Sequence, residues 1–337
     1  MSLAAILAEC ARLAAGGGAG ALASVAKRHG SLPMSATAKL LVTAGGARMG
    51  TVGGGCLEAE IIERACDVIE RRIPARSRHS LNAELAGDYG LTCGGTAELF
   101  IEPVFPDPTL AVAYGEAAAI VARGDRCTMV TGLDWTSGPV KTVRAPEPGG
   151  TELPELSDRE LVEPLTGKPR VVVFGGGHVG ARIAEAAAFA GWRATVVDDR
   201  PDFADPARLP FAERAVTCDF HDVTAAVQLD ADSYVVIATR GHQHDVELAA
   251  QLAPLPLRYL GMLGSRRKTA LTAKQLRDWD VTDEQIARMH APVGISIGAD
   301  TPEEIAVSVV AEMIAIRRAG TSRRGGVEST LAGQELP

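Results

Sequence analysis

Two short runs in the sequence set a thiol beside glycine. Gly53, Gly54 and Gly55 precede Cys56, and Cys93 precedes Gly94 and Gly95. Glycine lets the main chain turn tightly and approach a ligand closely, and a thiolate is both a nucleophile and a soft-metal ligand. Beyond Cys56, the residues Leu57, Ile61, Ile62, Ala65, Val68 and Ile69 recur at helical spacing. Cys56 therefore falls at a helix amino terminus, whose partial positive charge favours a thiolate. A small side chain packed into a crowded turn is the other reading of each cysteine, and the spacing leaves both open. Cys10, Cys66, Cys127 and Cys218 lie on apolar faces and read as core. No Cys-x-x-Cys pair marks a structural zinc site.

A third run carries a different chemistry. An apolar stretch, residues 170–174, leads into Gly175, Gly176, Gly177, His178, Val179 and Gly180, and a helical pattern follows. That is Gly-x-Gly-x-x-Gly in the strand-turn-helix setting of a dinucleotide-binding turn. Gly175 would make the turn, Gly177 would admit a phosphate, and Gly180 would allow the helix to pack on the sheet. A helix amino terminus also offers unpaired N–H groups to an anion. At the end of the next apolar stretch, Asp198 and Asp199 stand where an acidic residue would accept the ribose hydroxyls of NAD, and Arg200 keeps NADP open. The same turn also serves folds that hold another phosphate compound or no nucleotide.

Two further clusters follow apolar strands at their carboxyl ends, where open α/β sheets place ligands. One contains Thr239, Arg240, His242 and His244; the other contains Ser265, Arg266, Arg267 and Lys268. Histidines there would serve as ligands or proton carriers, or simply as loop residues before the next helix. The serine with its cations would hold a phosphate or carboxylate, or would be a solvated helix start.

The elements that position these residues divide the chain. The first part, residues 1–150, mixes helical and strand patterns and reads as a smaller α+β domain. Residues 151–168 have linker composition, with one short strand expected near residues 160–162. Residues 169–320 alternate strand and helix, the pattern of βαβ units and a parallel Rossmann-like sheet. The last helix is expected to open on a capping box, with Thr301 as N-cap, Pro302 at its first position and Glu304 two residues on. Residues 321–337 are polar and glycine-rich and are expected to be disordered.

Bulk properties narrow the function classes. With 337 residues the chain exceeds one ordinary core, and its 46% apolar and 23% charged residues fit a soluble globular protein. A net charge of -8 gives no basic footprint for nucleic acid. Glu9 and Arg12 interrupt the apolar start, which reads as an amphipathic helix and not a secretory signal. No uncharged run reaches the roughly 18 to 20 residues of a membrane span. A cytoplasmic location is expected, and scattered cysteines without a secretory signal argue against a disulfide framework.

Taken together, the motifs resemble the XdhC/CoxI family, accessory proteins of xanthine dehydrogenase and related molybdenum hydroxylases. The resemblance is carried by MGTVGGGCLEAE at 49–60, LTCGGTAELFIEP at 91–103, VFGGGHVG at 173–180, TRGHQHD at 239–245, YLGMLGSRRK at 259–268 and HAPVGISIGADTPEE at 290–304. The loop HGSLPMSA at 29–36 departs from the Ser-Thr-Pro-Arg pattern expected in that family.

The resemblance implies a chaperone that binds molybdenum cofactor, promotes exchange of an oxo ligand for sulfido with a cysteine desulfurase, and delivers it to an apo molybdenum hydroxylase. On that reading Cys56 and Cys93 would contact the molybdenum end. Gly175, Gly177, His178, Gly180, Asp198, Arg240, His242, Ser265 and Arg266 would line a site for the pterin phosphate or a nucleotide. An NAD(P)-dependent oxidoreductase, with His178 or His242 as its acid or base, and a nucleotide-sensing module are the competing readings. A homodimer is expected on general grounds.

Overall fold

The computed structural model describes residues 2–30, 32, 34–81, 95–147 and 153–319. These form two compact units, Met1–Lys168 and Pro169–Pro337. The tail expected to be disordered, 321–337, lies outside the described residues.

The first unit is built on a five-stranded antiparallel sheet in the order β3-β2-β1-β5-β4. Its strands are β1 (Gly20–Gly30), β2 (Lys39–Thr43), β3 (Arg48–Gly50), β4 (Ala75–Leu81) and β5 (Gly95–Val104). One face buries Ala21, Ala23, Val25, Leu40, Val42, Leu99 and Ile101 against α2 (Gly55–Arg71), through Ile61, Ala65 and Val68. On the other face Leu22, Leu41 and Val104 meet α1 (Leu3–Arg12), α3 (Pro108–Ala122) and a second sheet. Strand β1 thus alternates between two cores, which is why it is buried along most of its length.

That second sheet, ordered β7-β6-β9-β8, corrects the linker expectation. It comprises β6 (Arg126–Gly132), β7 (Lys141–Arg144), β8 (Glu155–Leu156) and β9 (Glu160–Thr166). Residues 160–166 pair with the whole of β6, and Leu161 and Leu165 are buried. Pro164 and the flanking acidic residues gave this stretch its linker-like composition. Leu161, Glu163 and Leu165, at alternate positions, nevertheless form a strand's buried face.

Two buried ion pairs join the two sheets crosswise. Lys39 of β2 pairs with Glu163 of β9 and donates to the Ser24 hydroxyl at 2.6 Å. Lys141 of β7 pairs with Glu102 of β5 at 3.0 Å, and its side chain is wholly buried. Thr131, opposite Lys141 on β6, accepts a second hydrogen bond from it. Each sheet contributes one lysine and one glutamate, so every charge is balanced from across the interface.

The second unit is a parallel sheet in the order β12-β11-β10-β13-β14. Its strands are β10 (Arg170–Phe174), β11 (Arg193–Asp198), β12 (Arg214–Thr217), β13 (Tyr234–Ile237) and β14 (Tyr259–Met262). Valine-rich strands buried on both faces suit such a sheet. Helices α4 (His178–Phe189) and α8 (Pro302–Ala319) pack on one face through Ile183, Ala184, Val309 and Met313. On the other, α5 (His242–Leu252) and α6 (Arg266–Asp278) contribute Val246, Leu248, Leu252 and Leu276, and the short α7 (Asp283–Ala287) follows α6.

The chain leaves β10 in one direction and returns to β13 on its other side, making a topological switch point between those strands. Helix α8 opens on the expected reciprocal box: the Glu304 N–H donates to the Thr301 hydroxyl and the Thr301 N–H to the Glu304 carboxylate. Glu312 then ties α8 to the sheet edge, accepting from the Tyr259 hydroxyl at 2.5 Å and the Gly294 N–H at 3.0 Å.

Lys141→Met leaves the Glu102 carboxylate buried without its cation and is expected to destabilise the protein by roughly 3–5 kcal/mol in denaturant unfolding. The double variant Glu102→Leu/Lys141→Met is expected to recover most of that loss. A single-variant loss below about 1 kcal/mol would show that the pair does not hold the sheets together.

Candidate functional site

In the first unit the candidate surface is the turn between β3 and α2. Gly53, Gly54 and Gly55 have φ values of +126°, +74° and +62°, three consecutive left-handed residues that few other amino acids could supply. The turn is held from within by Glu58 in the first helical turn. One of its carboxylate oxygens accepts the Thr51 hydroxyl at 2.5 Å and the N–H groups of Val52 and Gly54 at 3.2 Å. The Thr51 hydrogen bond holds the Glu58 carboxyl below its ordinary value of 4.5 against the opposing effect of burial, with help from the two amides and the Arg48 charge.

Cys56 is exposed at the second position of α2, as the spacing led one to expect. A cavity of about 740 Å³ opens at the preceding glycine turn, lined among others by Met34, Ser35, Arg48, Thr51, Gly53 and Gly54 but not by Cys56 itself. A smaller one of about 240 Å³ is lined by Arg48, Gly55, Glu58, Ala59 and Ile62. Arg48 borders both cavities. Among the described residues no hydrogen bond or ion pair engages its guanidinium, so a positive charge faces the space around the thiol turn. Lys39 also borders the larger cavity, but its ammonium is turned to Glu163. Cys93 and the turn at residues 91–94 lie outside the described residues. Cys10 and Cys127 are buried, and burial pushes the Cys127 thiol up to about 11, so neither offers an available thiolate. Cys66 is exposed on the solvent side of α2, not in its apolar stripe.

In the second unit the glycine turn has the form its spacing implied. Gly175 has φ +110°, and a Cβ on it would lie 2.2 Å from the Ala238 carbonyl oxygen. On Gly180 a Cβ would lie 1.8 Å from the Gly175 carbonyl oxygen, so helix and turn touch through main chain alone. Gly176 is equally constrained, 1.9 Å from the Phe203 carbonyl oxygen. Gly177 differs, because nothing lies within 4 Å of its Cβ position. It is the N-cap of α4 and has no side-chain hydrogen bond. The turn therefore leaves open space at the position where a phosphate would approach a helix amino terminus.

Asp198 is buried at the end of β11 and supports this turn from beneath. Its Oδ2 accepts the Gly176 N–H at 2.8 Å, while Oδ1 accepts the Arg200 N–H and Nε at 3.0 and 2.9 Å. The outward-facing acid is Asp199, which accepts two hydrogen bonds from the Arg240 guanidinium at 2.6 and 2.7 Å. That guanidinium holds the Asp199 carboxyl below the usual carboxylate range. His178 and His242 are exposed at the first positions of α4 and α5.

His244 instead packs edge-on against Phe220, with centroids 5.4 Å apart. Asp245 is buried, accepts the Thr239 hydroxyl at 2.6 Å and pairs with Lys268. Ser265 caps α6 by accepting the Lys268 N–H at 3.3 Å. Arg266 and Arg267 remain exposed and without an ion-pair partner among the described residues. By strand order, Gly175–His178, Asp198–Arg200, Thr239–His242 and Ser265–Arg266 thus share the carboxyl edge of one sheet, while Lys268 is occupied with structural work.

Sequence reasoning missed Arg48, Glu58 and the Asp199–Arg240 bridge. Arg48 and Glu58 flank the glycine run at positions where ordinary surface charges also occur. The bridge joins residues distant in sequence, and no spacing rule connects them.

Among the described residues no group of three or more His, Cys, Asp or Glu side chains is placed to hold a metal ion, and no helix is long and apolar enough to cross a membrane. Comparison with known proteins agrees with both halves of this geometry. Residues 171–313 match the XdhC Rossmann domain, and residues 13–79 match the XdhC and CoxI family. The chain belongs to the XdhC and CoxI family.

It is similar to a probable xanthine dehydrogenase subunit of Bacillus subtilis (strain 168), with 26% identity over 88% of this chain and 93% of that one. It is also 30% identical to the uncharacterized protein YqeB of Escherichia coli K12, over 88% of this chain but only 43% of YqeB. A shorter match, 28% identical over 29% of this chain and 31% of the relative, is to the molybdenum cofactor insertion chaperone PaoD of Escherichia coli K12. Among solved structures, a Bacillus halodurans protein described as a xanthine dehydrogenase superposes with a TM-score of 0.72, at 25% identity and 98% coverage of both chains.

The glycine contrast is directly testable. Gly177→Val places a side chain in open space at an extended φ of −69° and is expected to change stability by less than about 1 kcal/mol. Gly176→Ala drives a methyl into the Phe203 carbonyl and is expected to cost roughly 2–4 kcal/mol. Thermal unfolding of the two variants checks the order; equal losses would mean that the turn is not packed as described.

Proposed function

We propose that this protein is an accessory factor that binds molybdenum cofactor, supports exchange of its oxo ligand for sulfido, and passes it to an apo molybdenum hydroxylase of the xanthine dehydrogenase type. The observation that carries the reading is the exposed Cys56 directly after a glycine turn whose Gly53 and Gly54 line a cavity of about 740 Å³ that Arg48 also borders. A cavity of that size suits a pterin-sized ligand, which typical sites of about 300–1,000 Å³ accommodate. Its lining is largely apolar, with Ser35, Thr37 and Thr51 as hydrogen-bonding groups for a pterin, and Arg48 would meet the ligand's negative charge. A thiolate is the soft ligand that a sulfur-rich molybdenum centre would accept. Names of relatives point the same way: a chaperone of molybdenum cofactor insertion and a probable component of xanthine dehydrogenase.

On this reading the cofactor is cargo. Within the first unit Cys56, with Cys93, holds or orients its molybdenum end and Arg48 neutralises charge, while the glycine turn at 175–177 of the second unit serves a phosphate-bearing ligand such as a nucleotide. Sulfur comes from a cysteine desulfurase acting as partner, and the protein acts in the cytoplasm as a homodimer. A second reading, an NAD(P)-dependent oxidoreductase or nucleotide sensor, is favoured by the open face of Gly177 and by the exposed His178 and His242 at the carboxyl edge of the same sheet.

The experiment is retention of molybdopterin by the purified protein after gel filtration, read as fluorescence of the oxidised pterin. Wild type is expected to retain it, and Cys56→Ser to retain about tenfold less or lower. Equal retention would remove Cys56 from the mechanism. Calorimetry with NAD(H) and NADP(H) decides the second reading, which fails if neither binds.

A further inference from the structure

The Arg240–Asp199 pair occupies a peculiar place. Strands β11 and β13 flank β10, with Phe174 level with Val197 on one side and Ile237 on the other. Asp199 lies two residues beyond Val197, Arg240 three beyond Ile237, and the glycine turn one to three beyond Phe174. The flanking strands are two inter-strand spacings apart, about 9.6 Å. A side-chain bridge between them therefore spans the carboxyl end of β10, the sheet edge on which the glycine turn lies, while leaving the Cβ position of Gly177 clear by 4 Å. It joins both guanidinium Nη groups to both carboxylate oxygens.

We infer that Asp199 is a built-in competitor for the anion site of the glycine turn, and that a phosphate-bearing ligand enters by taking the Arg240 guanidinium from it. This rests on the reading that the turn binds a phosphate. Both partners are partly open to solvent, 44% for Arg240 and 22% for Asp199, so the pair adds little to the stability of the fold and opens easily. The released carboxylate is not stranded, because Arg200 Nε already lies 3.8 Å from Asp199 Oδ1. Arg200 is itself held in place by Asp198 and by stacking over Phe203, 3.5 Å from its ring centroid.

The competitor also sets which anions enter. A tethered carboxylate acts at high effective concentration, so acetate or chloride, which offers Arg240 no more than Asp199 does, will not displace it. A phosphoryl group offers two oxygens to the guanidinium and further oxygens to the N–H groups at the start of α4. The crevice therefore selects phosphate and diphosphate esters over simple carboxylates.

The test is calorimetric titration of the full-length chain with ADP as the probe, at low ionic strength. Asp199→Asn is expected to bind ADP about three- to tenfold more tightly than wild type, since an occupied competitor lowers apparent affinity by the fraction of competent sites. Arg240→Gln is expected to bind more weakly, and Asp199→Asn/Arg240→Gln to match Arg240→Gln. Asp202→Asn, which removes an exposed carboxylate nearby without touching the bridge, controls for charge and is expected to match wild type.

Unchanged or weaker binding by Asp199→Asn would overturn the competitor while leaving the phosphate site standing. The competitor also falls if the gain persists in the double variant or appears in Asp202→Asn, because general electrostatics would then explain it. If neither wild type nor Asp199→Asn binds ADP, while both unfold at the same temperature, the phosphate reading falls and the inference with it.

Discussion

A carboxylate that accepts the main-chain N–H of a glycine turn holds each candidate surface in shape. In the first unit Glu58 gathers the amides of Val52 and Gly54. In the second, Asp198 holds the amide of Gly176. Glycine supplies the left-handed or side-chain-free backbone that such turns need, but the same freedom makes them entropically loose. A charge-assisted hydrogen bond from a fixed carboxylate offsets that looseness. The two turns can then present a thiol or an anion site without side chains of their own.

The consequence in each unit is a division of labour between two charged residues. Asp198 is buried and works on the turn; Asp199, one residue on, faces outward and pairs with Arg240. An acidic residue at the end of a Rossmann β-strand is ordinarily read as a ribose ligand, yet here the oxygens of Asp198 are committed to the turn and to Arg200. Glu58 supports the turn before Cys56 while Arg48 is exposed at the cavity edge. Where a sequence places two charged residues near a glycine motif, burial decides which shapes the turn and which stays open to solvent.

Much of this architecture was legible in the sequence. Residues 170–180 specify strand, turn and helix unambiguously, because each glycine answers a separate steric demand and the Val-rich strands can only be buried on both faces. Helix α2 and its capping position were equally clear from the spacing of Ile61, Ala65 and Val68. Strand β9 was obscured because Pro164 and its acidic neighbours carry the composition of a connector. Strand β4 was obscured because its arginines and His79 leave few apolar residues to alternate.

The buried Lys39 and Lys141 were unreadable for a related reason. A lysine in a strand signals solvent unless its distant partner is known, and Glu163 and Glu102 come from other strands. Long-range pairing likewise hid the bridge from Asp199 to Arg240, 41 residues apart.

The central claim is that the first unit carries molybdenum cofactor as cargo beside Cys56. Native mass spectrometry of the full chain, isolated without oxygen from cells that make the cofactor, tests it most directly. The account predicts a mass excess equal to the pterin and its molybdenum, confirmed by elemental analysis of the same sample. The bare polypeptide mass, with neither pterin nor molybdenum detected, would contradict it.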